Sequence, residues 1–219
     1  MANALLGTAT GGTVILGGAN TYGGTTEVLG GTLLVNGSIT GDTVTISPGT
    51  TLDGSGIINA GLANSTVQVG GTLAPGVSPG ILTTNNPISL NAGSLFAVEM
   101  NGSAAGAGGY DQLAVGDAAT VRIDSTSVIS LTLGYAPQPT DTFTLIDNLG
   151  ADPISGTFGN LSNGGTVSAV FGATTYECSA NYEGGTGNDL VLSVVPETSS
   201  AVLMLGSLVL LGRRSRSRA

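Results

Sequence analysis

The sequence predicts an all-β protein whose strands are stacked as the coils of a parallel solenoid. Glycine occurs 37 times among 219 residues, hydrophobic residues make up 41%, and lysine, histidine and tryptophan are absent. Good helix formers are scarce, and short runs rich in β-branched residues are bounded by Gly, Asn, Asp or Pro, which is typical of short strands between tight turns. A short glycine-containing phrase also recurs at a near-constant spacing, which indicates a repeat architecture.

The repeats occupy residues 1–103. Each phrase consists of a glycine, a small hydroxyl residue or glycine, and an apolar residue, and its apolar positions are Val14, Leu33, Leu52, Leu73 and Leu95, spaced by 19, 19, 21 and 22 residues. About twenty residues accommodate two or three short strands with their turns at ~3.3 Å per residue. Since one coil cannot bury its own apolar side chains, coils stack, and we expect Leu33, Leu52 and Leu73 in one column. A β-sandwich with glycine-rich turns is the alternative, which the period disfavours.

A small, glycine-rich link at Ala104–Gly109 predicts a loop after the repeats. Residues 110–195 are predicted to be a β-rich continuation or cap, because strand-like runs persist and most of the aromatic residues lie here. An exposed end of a solenoid invites aggregation, so larger side chains at this end favour a plug that covers it. The predicted strands are Gln112–Val115, Ile129–Leu133, Thr142–Ile146, Val167–Phe171 and Leu190–Val194.

Two parts of this body resemble a known family. The run from Thr13 to Thr26, followed by Gly30-Gly31-Thr32-Leu33, resembles the autotransporter-associated β-strand repeat. The phrases Gly71–Gly76 and Ser78–Gly80 are similar to another element of such passenger proteins, and the region from Tyr110–Leu113 to Asn188–Leu190 is similar to what commonly follows the repeat. The resemblance implies a right-handed parallel β-helix and an exported bacterial protein. It implies little about activity, because several passengers of this kind are scaffolds.

The last segment, residues 196–219, differs from the body in charge and composition. Up to Val195 the chain has thirteen acidic residues and one basic residue, a formal charge of −12, whereas the segment from Pro196 onward carries +3. Ser199–Gly212 is the most helix-favouring stretch. As a helix it would be ~21 Å long, against a bilayer core of ~30 Å, so it predicts one short, weakly seated C-terminal hydrophobic helix. A buried helix with a basic solvent tail is the alternative.

The order of this segment resembles a PEP-CTERM sorting signal, which consists of a Pro-Glu motif, a membrane helix and terminal arginines. Thr198 stands where the family usually has a second proline. The resemblance implies export, membrane anchoring and processing by an exosortase-type enzyme. The sorting motif would be Val195, Pro196, Glu197 and Thr198; the membrane anchor Ala201, Val202, Leu203, Met204, Leu205, Leu208, Val209, Leu210 and Leu211; and the basic stop Arg213, Arg214, Arg216 and Arg218. Because residues 1–20 contain no Lys or Arg, we expect that further coils precede this chain or that its start is wrongly assigned.

Composition restricts the chemistry of the body. Without histidine there is no Ser-His-Asp triad and no imidazole metal ligand. The single Cys178 permits no internal disulfide and is expected to be a small packed residue rather than a nucleophile. The acidic body would repel nucleic acid. We therefore expect no cofactor, no nucleic-acid partner and no catalytic residues.

Acidic residues are the remaining candidates for a site. Gly184–Leu192 fits the calcium-binding nonapeptide of β-rolls, which makes Asp189 a weak calcium candidate, but that motif works in stacked copies and occurs here once. Paired carboxylates ~5 to ~9.5 Å apart would indicate polysaccharide cleavage. The other aspartates are instead expected to be solvated turn residues, and Thr-x-Thr pairs are not expected to form an array. These aspartates are Asp42, Asp53, Asp111, Asp117, Asp124, Asp141, Asp147 and Asp152.

The sequence thus favours a non-enzymatic structural protein, exported to the cell surface or the extracellular matrix and held at the membrane until it is processed. Its partners would be the membrane, the processing enzyme and, in one interpretation, extracellular polysaccharide. A carbohydrate-binding or polysaccharide-cleaving β-helix is the alternative. An aromatic content of 4% with no tryptophan favours the scaffold.

Overall fold

The computed structural model describes residues 4–6, 11–59 and 65–196, and every regular element among them is a β-strand. The all-β prediction is confirmed for this part of the chain. The strands, labelled β1–β21 in chain order, form three sheets of six, six and nine strands. The predicted C-terminal hydrophobic helix lies outside the described residues.

The first sheet contains β1 (Ala4–Leu6), β4 (Thr26–Val28), β7 (Val44–Ile46), β10 (Val67–Val69), β13 (Ile88–Leu90) and β16 (Val121–Ile123). The second contains β2 (Thr13–Leu16), β5 (Thr32–Val35), β8 (Thr51–Gly54), β11 (Thr72–Pro75), β14 (Leu95–Met100) and β17 (Val128–Leu133). The third contains β3 (Ala19–Asn20), β6 (Ser38–Ile39), β9 (Ile57–Ile58), β12 (Ile81–Thr84), β15 (Gln112–Val115), β18 (Thr142–Asn148), β21 (Asp189–Val194), β20 (Thr174–Gly184) and β19 (Thr166–Phe171).

Consecutive strands enter the three sheets in turn, so each set of three makes one coil, and β1–β18 make six coils. Each strand in this range pairs in parallel with the strand three positions along the chain. Leu33 is the register partner of Leu52, which is the partner of Leu73, and all three side chains are fully buried. The predicted column and the stacked parallel architecture are therefore confirmed, and the sandwich alternative is wrong.

Leu95, the fifth apolar position of the repeated phrase, does not continue this column. Leu95 pairs with Thr72 and is only partly buried, whereas Phe96 pairs with Leu73 and is buried in the column. Compared with the preceding coil, the glycine of the repeated phrase lies one residue earlier relative to the strand register. Alternate side chains of a strand point to opposite faces. A shift of one residue therefore turns the leucine outward and the phenylalanine inward.

Buried columns also run along the other two sheets. In the first sheet Val28, Ile46, Val69, Leu90 and Ile123 are consecutive register partners and all are buried. The third sheet has a mixed column of Ile39, Ile58, Thr84, Val115 and Asn148. Its polar members are hydrogen-bonded, as in the bond from the Thr84 hydroxyl to the carbonyl of Asn86 (3.1 Å). Within the described ranges no buried side-chain polar atom lacks a partner, so this core carries no unpaired polar group.

The glycine-rich link forms a loop between β14 and β15 and does not interrupt the stack. Backbone hydrogen bonds within it, from Tyr110 to Ala104 and from Gly106 to Tyr110 (both 2.8 Å), close the loop on itself. Parallel pairing then continues through β16, β17 and β18. The longer coil at this point is consequently an ordinary coil with an inserted loop.

The last three strands reverse the pairing mode. β21 adds antiparallel to β18, and β20 and β19 follow antiparallel at the end of the third sheet. Beside them Phe158 stacks on Phe96 with ring centroids 5.8 Å apart, and the side chain of Asn160 pairs with both backbone polar groups of Ile129 (2.9 and 2.8 Å). These contacts cover the last coil and satisfy part of the exposed edge of β17.

Candidate functional site

The predicted sorting motif begins where the described chain ends. Val195 and Pro196 are described, whereas Glu197 and Thr198 lie outside the described residues, as do the predicted anchor Ala201–Leu211 and the basic stop Arg213–Arg218. The N–H of Val195 donates to the carbonyl of Glu177 (2.8 Å), and the N–H of Val194 donates to the carbonyl of Asp141 (3.2 Å). The chain is therefore attached to the body up to the first residue of the motif.

A groove of about 640 Å³ lies beside this attachment point. It is lined by the start of β20, the end of β21 and a proline-containing loop before β18, with Pro137, Pro139, Tyr176, Val194 and Pro196 among its residues. Asp141 holds the loop in place, since one of its carboxylate oxygens accepts hydrogen bonds from the Tyr135 hydroxyl (2.9 Å) and the Gln138 N–H (2.8 Å). Burial, and then this carboxylate, raise the pKa of Tyr135. The phenol therefore stays a hydrogen-bond donor at physiological pH.

A second, smaller cavity of about 250 Å³ is acidic. Asp53 on β8, Glu99 on β14 and Asp111 before β15 all line it, and the small side chains of Ala74 and Ala97 form part of its wall. Asp53 and Glu99 belong to the second sheet, whereas Asp111 follows the loop between β14 and β15. We call these three residues and this cavity the acidic cleft.

Asp111 is the structural centre of the acidic cleft. Only 3% of the residue is exposed, and its two carboxylate oxygens accept hydrogen bonds from the Gly80 N–H (2.8 Å) and the Glu99 N–H (2.7 Å). It thereby ties the turn at residues 76–80 to strand β14. The Ser78 hydroxyl of that turn bonds the Glu99 carboxylate, and the Gly54 N–H donates to Asp53 (2.6 Å).

Burial raises the pKa of two acids in the cleft. For Asp111 desolvation outweighs the two backbone hydrogen bonds, and the negative charges of Glu99 and Asp53 add to it, so that the pKa rises to about 6. Burial also raises the pKa of Asp53, against the opposing hydrogen bond from Gly54 and with a further contribution from Glu99. The cleft thus concentrates negative charge where no basic side chain lines it.

The acidic cleft has the carboxylates that sugar chemistry uses but lacks other features of a sugar site. None of its lining residues is aromatic, so it offers no stacking platform for a sugar ring. In the described part of the chain no group of three or more Asp, Glu or Cys side chains is arranged to hold a metal ion. Both carboxylate oxygens of Asp111 accept backbone hydrogen bonds, so the role of this residue is primarily structural.

The calcium candidate Asp189 is the first residue of β21, directly after the hairpin turn that follows β20. It is 3% exposed, one of its oxygens accepts the Asn148 N–H (2.8 Å), and the other accepts the Thr186 N–H (3.1 Å). The carboxylate therefore joins the turn to the end of β18. These hydrogen bonds give Asp189 a structural role that requires no ion.

The expectation that the aspartates are solvated turn residues needs correction. Asp111 is a buried residue rather than a solvated turn residue, and Asp53 and Asp147 lie within strands β8 and β18 rather than in turns. A column of single threonines, distinct from the Thr-x-Thr pairs, was not predicted: Thr13, Thr32, Thr51 and Thr72 are consecutive register partners on the outer face of the second sheet. In the sequence, this column is marked by the threonine that precedes the apolar residue of each repeated phrase. The four threonines form one column, which stabilises the sheet by cross-strand pairing.

Cys178 is buried at 2% exposure on β20, and desolvation raises the pKa of its thiol to about 11. The thiol therefore stays protonated at physiological pH, which fits a packed residue.

No family model and no curated protein matches this chain. Within the described ranges, no helix is long and apolar enough to cross a membrane.

Proposed function

We propose that the chain is an exported bacterial structural protein of the cell surface or extracellular matrix, held at the membrane and processed through residues 195–219. The observation that supports this most directly is the stack of six coils, in which strands of each sheet hydrogen-bond to neighbouring coils around continuous buried columns. Such a stack resists bending and stretching, because deformation along its axis must break many backbone hydrogen bonds together.

The C-terminal segment, residues 196–219, supports the part of the proposal that concerns membrane anchoring and processing. Its apolar run and four terminal arginines fit a short anchor oriented by the positive-inside rule, and its resemblance to a PEP-CTERM signal supports cleavage by an exosortase-type enzyme. The resemblance of the repeats also supports a right-handed coil. Val195 is hydrogen-bonded to the body, so a cut beyond Pro196 would leave β21 and its pairing intact.

The experiment is mass spectrometry of the mature protein from its native host, combined with protease accessibility on intact cells. We expect a protein accessible from outside that has lost everything beyond the Pro196–Glu197 region. Replacing Pro196 and Glu197 by alanine should leave the uncleaved chain in the membrane fraction, whereas replacing the exposed Ser162 and Asn163 should not. A mature protein that still ends at the terminal arginines contradicts the proposal.

The acidic cleft favours a second candidate, a carbohydrate-binding or polysaccharide-cleaving β-helix. Glu99 and Asp53 would be its working carboxylates, as Asp111 is occupied by backbone bonds. Incubation with extracellular polysaccharide from the host should then release reducing ends with the native chain but not with Glu99→Gln, and Asp117→Asn, an exposed acid elsewhere, is the matched control. No binding and no release by the native chain rejects this candidate.

A further inference from the structure

Strand β19 ends the third sheet, and its backbone is hydrogen-bonded along one flank only. It pairs antiparallel with β20, and no backbone hydrogen bond joins its other flank to another residue of the described ranges, although the strand packs beside β17. Ala169 is buried against the core, whereas Ser168 is exposed and Val170 is 60% exposed. The open flank offers N–H and C=O groups to a further strand.

This edge lacks the features that commonly prevent strand pairing. Edges are usually protected by charged side chains, prolines or bulges. The segment 154–176, which contains β19, has neither a charged residue nor a proline, and all six residues of β19 pair with β20 without a register shift.

Charge and symmetry indicate which strand fits. The body carries a formal −12, so two copies of this chain repel each other over most of their surfaces but not at the uncharged segment 154–176. In an antiparallel pair of identical strands, residues that lie opposite each other must project from the same face of the sheet. A two-fold axis that passes through Ala169 meets this requirement. It places Val167 opposite Phe171 of the second copy and Ser168 opposite its Val170. Pairs of aromatic and β-branched side chains such as Val167 with Phe171 stabilise a sheet.

We propose that β19 is a self-association edge, at which a second copy of this chain adds antiparallel and joins two nine-stranded sheets into one. The dimer is closed, because each copy offers one such edge to the other. Such a dimer would let a structural protein cross-link without any other partner. Its formation depends only on the folded body and not on export or processing.

Sedimentation velocity of the full chain tests the proposal, in detergent micelles that shield the apolar run of the tail. In the double variant Ser168→Lys with Val170→Lys, lysines face each other across the two-fold axis, and we expect the dimer dissociation constant to rise by at least about tenfold. The control Leu29→Lys with Leu149→Lys changes the net charge equally at exposed apolar positions (51% and 60%) away from the edge, and it should dimerise like the native chain. Circular dichroism checks that all three proteins are folded.

A spin label locates the contact independently of these variants. With Cys178→Ala removing the only native thiol, a label at Ser168→Cys should show dipolar broadening in the dimer, because the two Cα atoms would lie about 8 Å apart. A label at Leu149→Cys should show none. A native chain that stays monomeric at every concentration, a lysine pair at β19 that leaves the dimer unchanged, or an unbroadened label at residue 168 overturns the proposal.

Discussion

Leu52 and Leu34 show at the scale of single residues how the two faces of a strand differ. Leu52 is fully buried between Leu33 and Leu73, whereas Leu34 lies on the outer face of the neighbouring strand and is only partly buried. The same leucine-to-alanine change therefore removes a core contact in one case and a surface contact in the other.

We expect Leu52→Ala to lower the free energy of unfolding by about 3 kcal/mol, because it leaves a cavity in a packed column. Leu34→Ala should cost less than about 1 kcal/mol. Urea unfolding followed by circular dichroism measures both. Equal losses in the two variants would contradict the inward and outward assignment.

The raised pKa of Asp111 predicts how the free energy of unfolding depends on pH. Its pKa is about 6 in the folded protein, whereas the ordinary pKa of an aspartate, which we take for the unfolded chain, is 3.8. Between these values the folded state keeps a proton that the unfolded chain has lost, so this residue's contribution to stability is present at low pH and is lost as pH rises through 6. The free energy of unfolding should therefore fall over this window.

Urea unfolding at intervals from pH 4 to pH 7 measures this dependence. Burial also raises the pKa values of Asp53 and Asp147, and both act in the same direction. The comparison is therefore between the native chain and Asp111→Asn, which should have the flatter profile, with Asp117→Asn as the control that keeps the native slope. A profile of Asp111→Asn as steep as the native one would refute the role of this acid.

At the scale of elements, the close approach of neighbouring coils depends on glycines at the strand ends. Gly54 ends β8 with φ = 122°, and a Cβ added there would lie 2.0 Å from the Val35 carbonyl oxygen in the coil below. Gly49 also has a positive φ, 81°, but an added Cβ would meet nothing within 4 Å. Comparing an alanine at Gly54 with an alanine at Gly49 therefore separates backbone strain from steric conflict between coils.

Gly49→Ala should cost about 1 kcal/mol through strain alone, and Gly54→Ala about 3 kcal/mol or more, because the coils must also move apart. Thermal unfolding of both variants measures the difference. If Gly54→Ala is no worse than Gly49→Ala, the tight contact between β5 and β8 does not contribute to stability.

At the scale of the whole molecule, the described residues bury the first and the last coil to different extents. The last coil packs against Phe158, Asn160 and the antiparallel strands, whereas in the first coil the inward-facing Val14 and Leu16 are only partly buried. Because stability in stacked repeats comes mainly from contacts between neighbours, a coil with less cover opens more readily.

Hydrogen exchange should therefore be faster by at least about tenfold for the amides of Thr13–Leu16 than for those of Thr51–Gly54. Exchange followed by mass spectrometry measures this with peptides from each coil. Uniform protection along the stack would indicate that the molecule opens only as one unit.

Much of this architecture follows from sequence that is read locally. The alternation of apolar and polar residues, the turn residues and the period near twenty predicted Thr32–Val35, Gln112–Val115 and the column through Leu52, because strand and turn preferences depend on neighbouring residues. The sequence also predicted a tail of opposite charge to the body. Those features depend on composition and order alone.

Tertiary structure decided which distant residues meet. Asp53, Glu99 and Asp111 share one cleft because the lengths of the intervening turns set how each coil lies on the next, and turn length is not constrained by strand patterning. The same cause turned Phe96 inward in place of Leu95. The reversal to antiparallel pairing after β18 was equally unpredictable, since an isolated strand has the same alternation whichever direction its neighbour runs.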